Sequence, residues 1–371
     1  MFGTLKGLFG GRRASAGGID ALYSDAVSAW NAGDYGTALR RVDRAIAADA
    51  SLPTLHFLKA SAHLELGEYA ACISAGEAGL ALAPPYPMRN DLRLRVALAQ
   101  ARADMAAGVP PPPLFAVPDS TAKISVIICS ITPSKLERVT ANYRRLLAGV
   151  PHEIIPIHDA QSLCEGHNRG ARQARGDILV FSHDDVEILS EDFAAQLLLA
   201  MQRHDLVGVA GTDKLLGAAW MFAGWPHLHG QIGMPGAAGG ITVTAYELHG
   251  RYGERMQALD GVFLAARREA VEAIGFDQQT FDGWHLYDLD FSFRAHQAGY
   301  RCATVNDLLM VHQSAGNPGE AWRRYAQRFL DKHRGIERFE DLAPPPLAAV
   351  SVRSTEEWRR LTAWLSSQEG S

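Results

Sequence analysis

Apolar positions recur at helical spacing from about residue 20 to residue 106, in a stretch rich in alanine and leucine, and predict a run of helices. The pattern stops at Val109-Pro110-Pro111-Pro112-Pro113. Four consecutive prolines cannot continue a helix and form a stiff, extended spacer, which marks a domain boundary. Beyond it the pattern changes. Ile124-Ser125-Val126-Ile127-Ile128-Cys129 has a buried-strand pattern and ends at a Ser/Thr/Pro turn. A helix-like stretch (Lys135 to Leu147), a strand (Glu153 to Ile157), a helix (Cys164 to Ala174) and a strand (Asp177 to Ser182) follow in turn. Strands alternating with helices predict an α/β domain with a mostly parallel central sheet flanked by helices. From Gly208 to Gly261 the periodicity is weak and Gly, Trp and His abound, as in loops and short strands around a site. Leu308 to Val311 reads as a further short strand ending at His312, and the tail from Glu320 holds two helical stretches around Pro344-Pro345-Pro346.

The first helical stretch repeats itself. Gly33-Asp34-Tyr35 returns as Gly67-Glu68-Tyr69, 34 residues on. At the same offset Trp30 pairs with Leu64, Ala38 with Cys72, Ile46 with Leu80 and Pro53 with Pro87. Thirty-four residues is the period of tetratricopeptide (TPR) helix pairs. Asp91 to Met105 adds one helix, giving about two repeats and a cap where such arrays usually need three. This all-α TPR-like domain is therefore expected to lean on the rest of the chain or on a protein partner. A helical bundle without a binding role fits the same pattern. The organisation read from the 371 residues is a disordered leader at 1–19, TPR-like repeats at 20–108, a Pro-rich linker at 109–121, an α/β domain at 122–318 and a C-terminal helical extension at 319–371.

Composition narrows the function. With 47% hydrophobic and 21% charged residues the chain is an ordinary globular protein. A net charge of -5 leaves no basic excess to neutralise phosphates, so nucleic acid is not expected as a partner. The four cysteines, Cys72, Cys129, Cys164 and Cys302, form no C-x-x-C pair and read as small buried hydrophobes in a reducing, cytoplasmic compartment. No apolar run approaches the ~20 residues that span a bilayer. The short basic, Gly-rich leader is the one segment that could touch the inner face of a membrane.

The candidate chemistry sits where strands end, which is where α/β sheets bind ligands. Ser130, Asp159 and His183-Asp184-Asp185 all follow strands. Adjacent carboxylates repel unless a cation lies beside them, and hard divalent ions such as Mg2+ or Mn2+ favour carboxylate oxygens and ligand phosphates. An Asp-Asp pair after a strand also serves as a turn or cap. Asp288 and Asp290, at i and i+2 in Trp284-His285-Leu286-Tyr287-Asp288-Leu289-Asp290, stand at the start of an amphipathic helix whose positive end suits them; the flanking aromatics suit a ring-shaped substrate. Trp220, Trp225, Trp284, His227 and His229 could stack on sugars or pack a loop-rich core. Asp260-Gly261 reads as a tight turn. Gly166-His167-Asn168-Arg169-Gly170 lacks the spacing of a dinucleotide fingerprint.

The segment 124–316 resembles an inverting family 2 glycosyltransferase of GT-A fold, a nucleotide-diphospho-sugar transferase, and within that group the branch named after a streptomycin-biosynthesis protein. The matching stretches are Ile124–Cys129, Ser162–Asn168, Leu179–Val186, Leu259–Phe263, Tyr287–Arg294 and Val311–Gln313, in consistent order and spacing. The resemblance implies Asp185 and His312 as ligands of Mn2+ or Mg2+. It implies Asp288 as the catalytic base, Ser130, Asp159, Asn168 and Asp184 around the nucleotide, and Asp260, Gly261, Trp220, Trp284 and Tyr287 near the donor sugar or acceptor. His183 stands where the pattern has the first aspartate of Asp-x-Asp, and Tyr287 where it has glutamate. The implied activity is metal-dependent hexosyl transfer from a nucleotide sugar to a hydroxyl of a glycan or protein, as in polysaccharide biosynthesis. The rival is a TPR-based scaffold with a degenerate, inactive GT-A domain. A nucleotidyltransferase would carry a glycine-rich basic loop where Ser130-Ile131-Thr132-Pro133-Ser134 stands.

Overall fold

The computed structural model describes residues 16–236, 239–314, 316, 319–336 and 348–368. The leader up to residue 15 and the proline run at 344–346 lie outside these. The chain forms two compact units, Met1–Pro111 and Pro112–Ser371.

Five helices make up the described part of the first unit: α1 (Ala16–Asn31), α2 (Tyr35–Ala48), α3 (Pro53–Leu66), α4 (Tyr69–Leu80) and α5 (Met88–Ala106). The recurrence seen in the sequence falls on matching turns. Gly33 joins α1 to α2 and Gly67 joins α3 to α4, at φ 78° and 75°, left-handed values that glycine adopts without penalty. Asp34 caps α2 by accepting from the Thr37 amide at 2.9 Å. In the second copy Glu68 occupies that place without a side-chain cap. A Cβ at Gly79 would meet His56 of α3 at 2.9 Å and Leu92 of α5 at 3.0 Å, so a small residue lets three helices close on one another. Helix α1 starts at Ala16, inside the stretch read as leader. Gly17 and Gly18 lower the helical propensity there and hide the helix from the pattern.

The second unit opens with the alternation expected: β1 (Ile124–Cys129), α6 (Pro133–Leu146), β2 (His152–Ile157), α7 (Leu163–Gln173) and β3 (Ile178–Ser182). Then come β4 (Val186–Ile188), α8 (Phe193–Arg203), β5 (Leu206–Gly208) and β6 (Ala210–Thr212), followed by a 3-10 turn at Trp220–Ala223. The loop-rich stretch resolves into β7 (Leu228–Pro235), β8 (Ile241–Ala245), β9 (Tyr252–Glu254) and β10 (Ala258–Leu259). The chain continues through β11 (Phe263–Arg267), α9 (Arg268–Ile274), α10 (Tyr287–Gln297), β12 (Cys302–Val305), β13 (Met310–His312) and α11 (Glu320–Lys332). It ends with β14 (Ala349–Val352) and α12 (Thr355–Ser367). The tail was expected to be helical only. Ala349–Val352 is instead a strand, because alternate residues Val350 and Val352 are buried while Ser351 is not.

The central sheet has the order β2-β1-β3-β11-β5-β12-β9. Strand β1 pairs in parallel with β2 and β3, and β5 with β12. Strand β11 runs antiparallel to both β3 and β5, and β9 antiparallel to β12. Five strands thus point one way and two the other. Successive residues face opposite layers. Ile127, Leu179 and Phe181 pack with Phe276, Phe291 and Phe329 on one side. Val126, Ile128 and Val180 pack with Val139, Tyr143 and Phe193 on the other. Both faces are covered, so β1 and β3 read as mostly apolar runs, with serine only at Ser125 and Ser182, rather than alternating ones. A second sheet runs β10-β6-β7-β13-β4, with β8 added to β7 and β14 to β8.

Candidate active site

Three local features bring distant residues together. The chain leaves β3 at Ser182, turns through His183-Asp184-Asp185 and enters β4. Strand β13 pairs antiparallel with β4, setting His312 opposite Val186, and the Gln313 amide donates to the Asp185 carbonyl at 2.9 Å. Strand β11 pairs antiparallel with β3, setting Phe263 opposite Ser182, so that the His183 amide donates to the Val262 carbonyl at 3.2 Å.

Asp185, His183 and His312 form a compact triangle. His312 Nε2 lies 3.2 Å from Asp185 Oδ1, His183 Nδ1 lies 3.9 Å from the same oxygen, and the two imidazole nitrogens are 3.4 Å apart. Their donor atoms all fall within 4.8 Å of one another, the one such cluster of three among the described residues. A carboxylate and two imidazoles at this spacing fit a divalent ion. The bond to His312 holds the Asp185 carboxyl well below the usual range despite its burial. Burial and the neighbouring His312 push the His183 imidazole down, which keeps it neutral and able to ligate.

Asp184 points elsewhere: Ser130 Oγ donates to its Oδ2 at 2.7 Å, and Lys135 Nζ lies 3.7 Å from Oδ1. Lys135 also reaches Asp185 Oδ2 at 3.4 Å. This lysine stands in no motif of the sequence. Its signal was position, since a cation in the first turn of a helix opposes the helix dipole and so needs an anionic partner.

Tyr287 and Asp288 open α10 after Leu286, a non-glycine residue at φ 63°. Such a conformation costs about 1–3 kcal/mol and persists where its surroundings enforce it. The Tyr287 hydroxyl lies 2.9 Å from His183 Nε2 and donates to the Gly261 carbonyl at 2.8 Å. Asp288 Oδ2 accepts from the Gly261 amide at 2.8 Å. Burial and the charge of Asp260 push the Asp288 carboxyl up to about 7. Asp260 is itself held by Trp220 Nε1, at 3.0 Å, and by the Val262 amide, at 2.9 Å. A single connected patch therefore links Asp185, His183, His312, Tyr287, Gly261, Asp288, Asp260 and Trp220.

A cleft of about 310 Å³ opens beside the triangle, lined by Ser130, Ile131, Leu163, His183, Asp184, Asp185 and Trp284 among others. Ile131 and Trp284 are 81% and 51% exposed, two large apolar side chains left uncovered at its mouth. The larger cavity, about 590 Å³ between Arg203 and Arg251, is lined by none of these residues.

Other sequence candidates are engaged elsewhere. Asn168 spends its amide on the loop before α10: it donates to the Phe276 carbonyl at 2.8 Å and accepts from the Phe276 amide at 3.0 Å. Asp159 is exposed and pairs with Arg169 at 2.9 Å. Neither lines the cleft. Trp220 is 5% exposed and packs edge-on against Tyr246, presenting its indole N–H to Asp260 and no free face. His227 and His229 both hold Asp213, at 2.8 and 3.1 Å.

One rim of the sheet thus gathers a carboxylate–imidazole triangle and a carboxyl raised to about 7, beside an open cleft. The chain belongs to the glycosyltransferase-like family, whose model matches residues 125–333, more than half of the sequence. Among solved structures it is similar to the mannosyltransferase PcManGT from Pyrobaculum calidifontis in complex with GDP-Man and Mn2+, at 14% identity and TM-score 0.37 over 81% of each chain. It is also similar to GalNAc-T7 with UDP, GalNAc and Mn2+, at 13% identity and TM-score 0.36 over 58% of this chain and 48% of that one. No curated protein sequence matches. Among the described residues no helix is long and apolar enough to cross a membrane.

Proposed function

We propose that the chain is an inverting, divalent-metal-dependent hexosyltransferase that moves a sugar from a nucleoside-diphosphate donor to a hydroxyl of a glycan or protein. The observation that carries this reading is the single connected patch that links the Asp185–His312 pair to Asp288 through His183, Tyr287 and Gly261. Family membership makes sugar transfer the chemistry to be explained.

Asp185 and His312 would hold the ion, Mn2+ or Mg2+. When bound, it stabilises negative charge that gathers on the leaving diphosphate. Ser130 fixes Asp184 at the cleft wall, and Lys135 offers a cation beside the same two aspartates. Ile131 and Trp284 supply apolar surface for the flat parts of a donor. Asp288 takes the proton of the acceptor hydroxyl as it attacks the anomeric carbon. A carboxyl near 7 is matched to that task, since a base works best when its pKa lies near the operating pH. With Asp288 as base and no carboxylate nucleophile in the scheme, direct displacement of the diphosphate by the acceptor hydroxyl inverts the anomeric centre. The repeat-like helices of the first unit are read as a TPR-like docking module for the acceptor or a partner protein.

The test is hydrolysis and transfer with a panel of nucleotide sugars, with and without Mn2+, for the parent chain and Asp288→Asn. Metal-dependent turnover that the substitution abolishes supports the reading. Donor binding without turnover in the parent chain would favour an inactive scaffold.

A further inference from the structure

We propose that His167 is a positioning residue for transfer: it holds the ring of Tyr287, and through it the Gly261 turn that Asp288 grips. The inference rests on the transferase reading above and gives a task to a residue which that reading leaves without one.

His167 lies in the middle of α7 and is 1% exposed. Neither nitrogen of its ring has a hydrogen-bond partner among the described residues. Burial pushes the imidazole down to about 3, so the ring is neutral, with one N–H and one bare nitrogen. In the unfolded chain water satisfies both. Burying them without partners costs stability that an apolar side chain of similar size would not. Core packing alone therefore gives no reason for a histidine here.

Its neighbours give one. Three rings enclose it: Phe181 of β3 and Phe276, each with its centroid 5.0 Å away, and Tyr287 of α10 at 5.3 Å. The planes of His167 and Tyr287 meet at 65°, edge to face, the arrangement in which the positive edge of one ring meets the π cloud of the other. Leucine has no such edge.

The box is held shut from two sides. Gly166 and Gly170 share the buried face of α7 with His167. A Cβ at Gly166 would strike Cys129 Sγ at 2.5 Å, and one at Gly170 would strike Ile127 Cγ2 at 2.4 Å, so α7 lies closer to β1 than larger residues permit. Asn168, next in the chain, bonds both backbone groups of Phe276. That sets the Phe276 ring against His167 on one side and stacks it at 4.3 Å on Phe291 of α10 on the other. Tyr287 reaches out of the box with its hydroxyl, which donates to the Gly261 carbonyl at 2.8 Å. Any tilt of the ring moves that hydroxyl, and with it the turn whose amide meets Asp288.

The experiment uses the full chain carrying His167→Leu, Tyr287→Phe, or both. His167→Leu should melt at or above the temperature of the parent, since it removes unpaired polar atoms from the core. Its kcat should fall by about 10–100-fold with the donor KM near that of the parent, as a misplaced site behaves. The double variant should turn over no more slowly than Tyr287→Phe, because the histidine acts through that hydroxyl. Amide exchange at Gly261 should be about tenfold faster in His167→Leu and unchanged in β1. Three results overturn the proposal: a melting point well below that of the parent, which makes His167 an ordinary structural residue; parent-like exchange at Gly261; or a loss of turnover that adds in full to that of Tyr287→Phe. If the parent itself transfers no sugar, the transferase reading fails, and melting and exchange still decide whether His167 holds Tyr287.

Discussion

Asp288 Oδ2 and the amide of Gly261 are 2.8 Å apart, and the preceding residue, Tyr287, holds the carbonyl of that same glycine. Two consecutive side chains of α10 thus grip one residue by both its polar backbone groups. A Cβ on Gly261 would collide with the Tyr287 hydroxyl and with the Asp288 Cβ, and neither can withdraw without breaking its own bond. Gly261→Ala is expected to cost about 1–3 kcal/mol of stability, as overpacking does, and to lower transfer more than that loss explains. Urea unfolding beside activity at a temperature where both forms are folded measures the two effects; a parent-like midpoint would mean the grip is slack.

Asp288→Asn keeps an oxygen for the Gly261 amide but cannot take a proton. Transfer is expected to fall by about 10²–10⁴-fold while nucleotide-sugar affinity stays near that of the parent. Calorimetric titration of the donor into both forms is the check, and a matched loss of donor binding would remove Asp288 from the role of base.

The same carboxyl sets a pH dependence. It is pushed up to about 7, by burial first and then by Asp260, from an ordinary value of about 4. As a base it must be deprotonated, so the transfer rate should climb as pH rises through 7. Stability moves the other way. A raised carboxyl adds stability that is fully present below about pH 4 and is lost as pH rises through 7. Asp288→Asn removes that loss, so the variant should melt higher than the parent at pH 8 and show little gain at pH 4. Paired thermal melts across that range decide it; equal gains at both ends would contradict the assignment.

Asp290, two residues on, has a different task. It is 1% exposed and meets Arg294 at 2.8 Å, Lys332 at 2.5 Å and His333 at 2.9 Å. Burial alone would raise its carboxyl, and these partners outweigh that and lower it. The cluster fastens α11 to α10. Asp290→Ala removes the one anion that Arg294, Lys332 and His333 share, leaving Lys332 with Asp277, and should cost about 3–5 kcal/mol, with faster amide exchange in α11 than in β1 or β3. Uniform exchange across the domain would show that the fastening is not local.

Much of the fold could be read from residue patterns, because it is written in short range. The mostly apolar runs Ile124–Cys129 and Ile178–Ser182 are the central strands β1 and β3, and the turn glycines Gly33 and Gly67 sit at equivalent φ in the two helical pairs. Strands β4 to β6 and β9 to β10, two or three residues each, carry too little pattern to be seen. Of the site, the strand-end residues Asp185 and His312 were legible, since a strand's end is visible in sequence. The contact of His183 with Tyr287 was not: both stood out as departures from the Asp-x-Asp and Glu-Asp patterns, and only the pairing of β3 with β11 and the start of α10 bring them together. Nor could the sequence show that the Phe276 backbone occupies the Asn168 amide, since the two lie more than a hundred residues apart.

The last strand and helix carry a practical consequence. The family match ends at residue 333, yet β14 covers the edge of β8, and Trp358, fully buried, fills the space over Gly233 and donates to Gln231 at 2.7 Å. A version cut at the family boundary would bare an unpaired strand edge and a tryptophan-sized hollow beside it. Such an edge recruits other chains, so the trimmed protein should precipitate where the longer one stays dispersed.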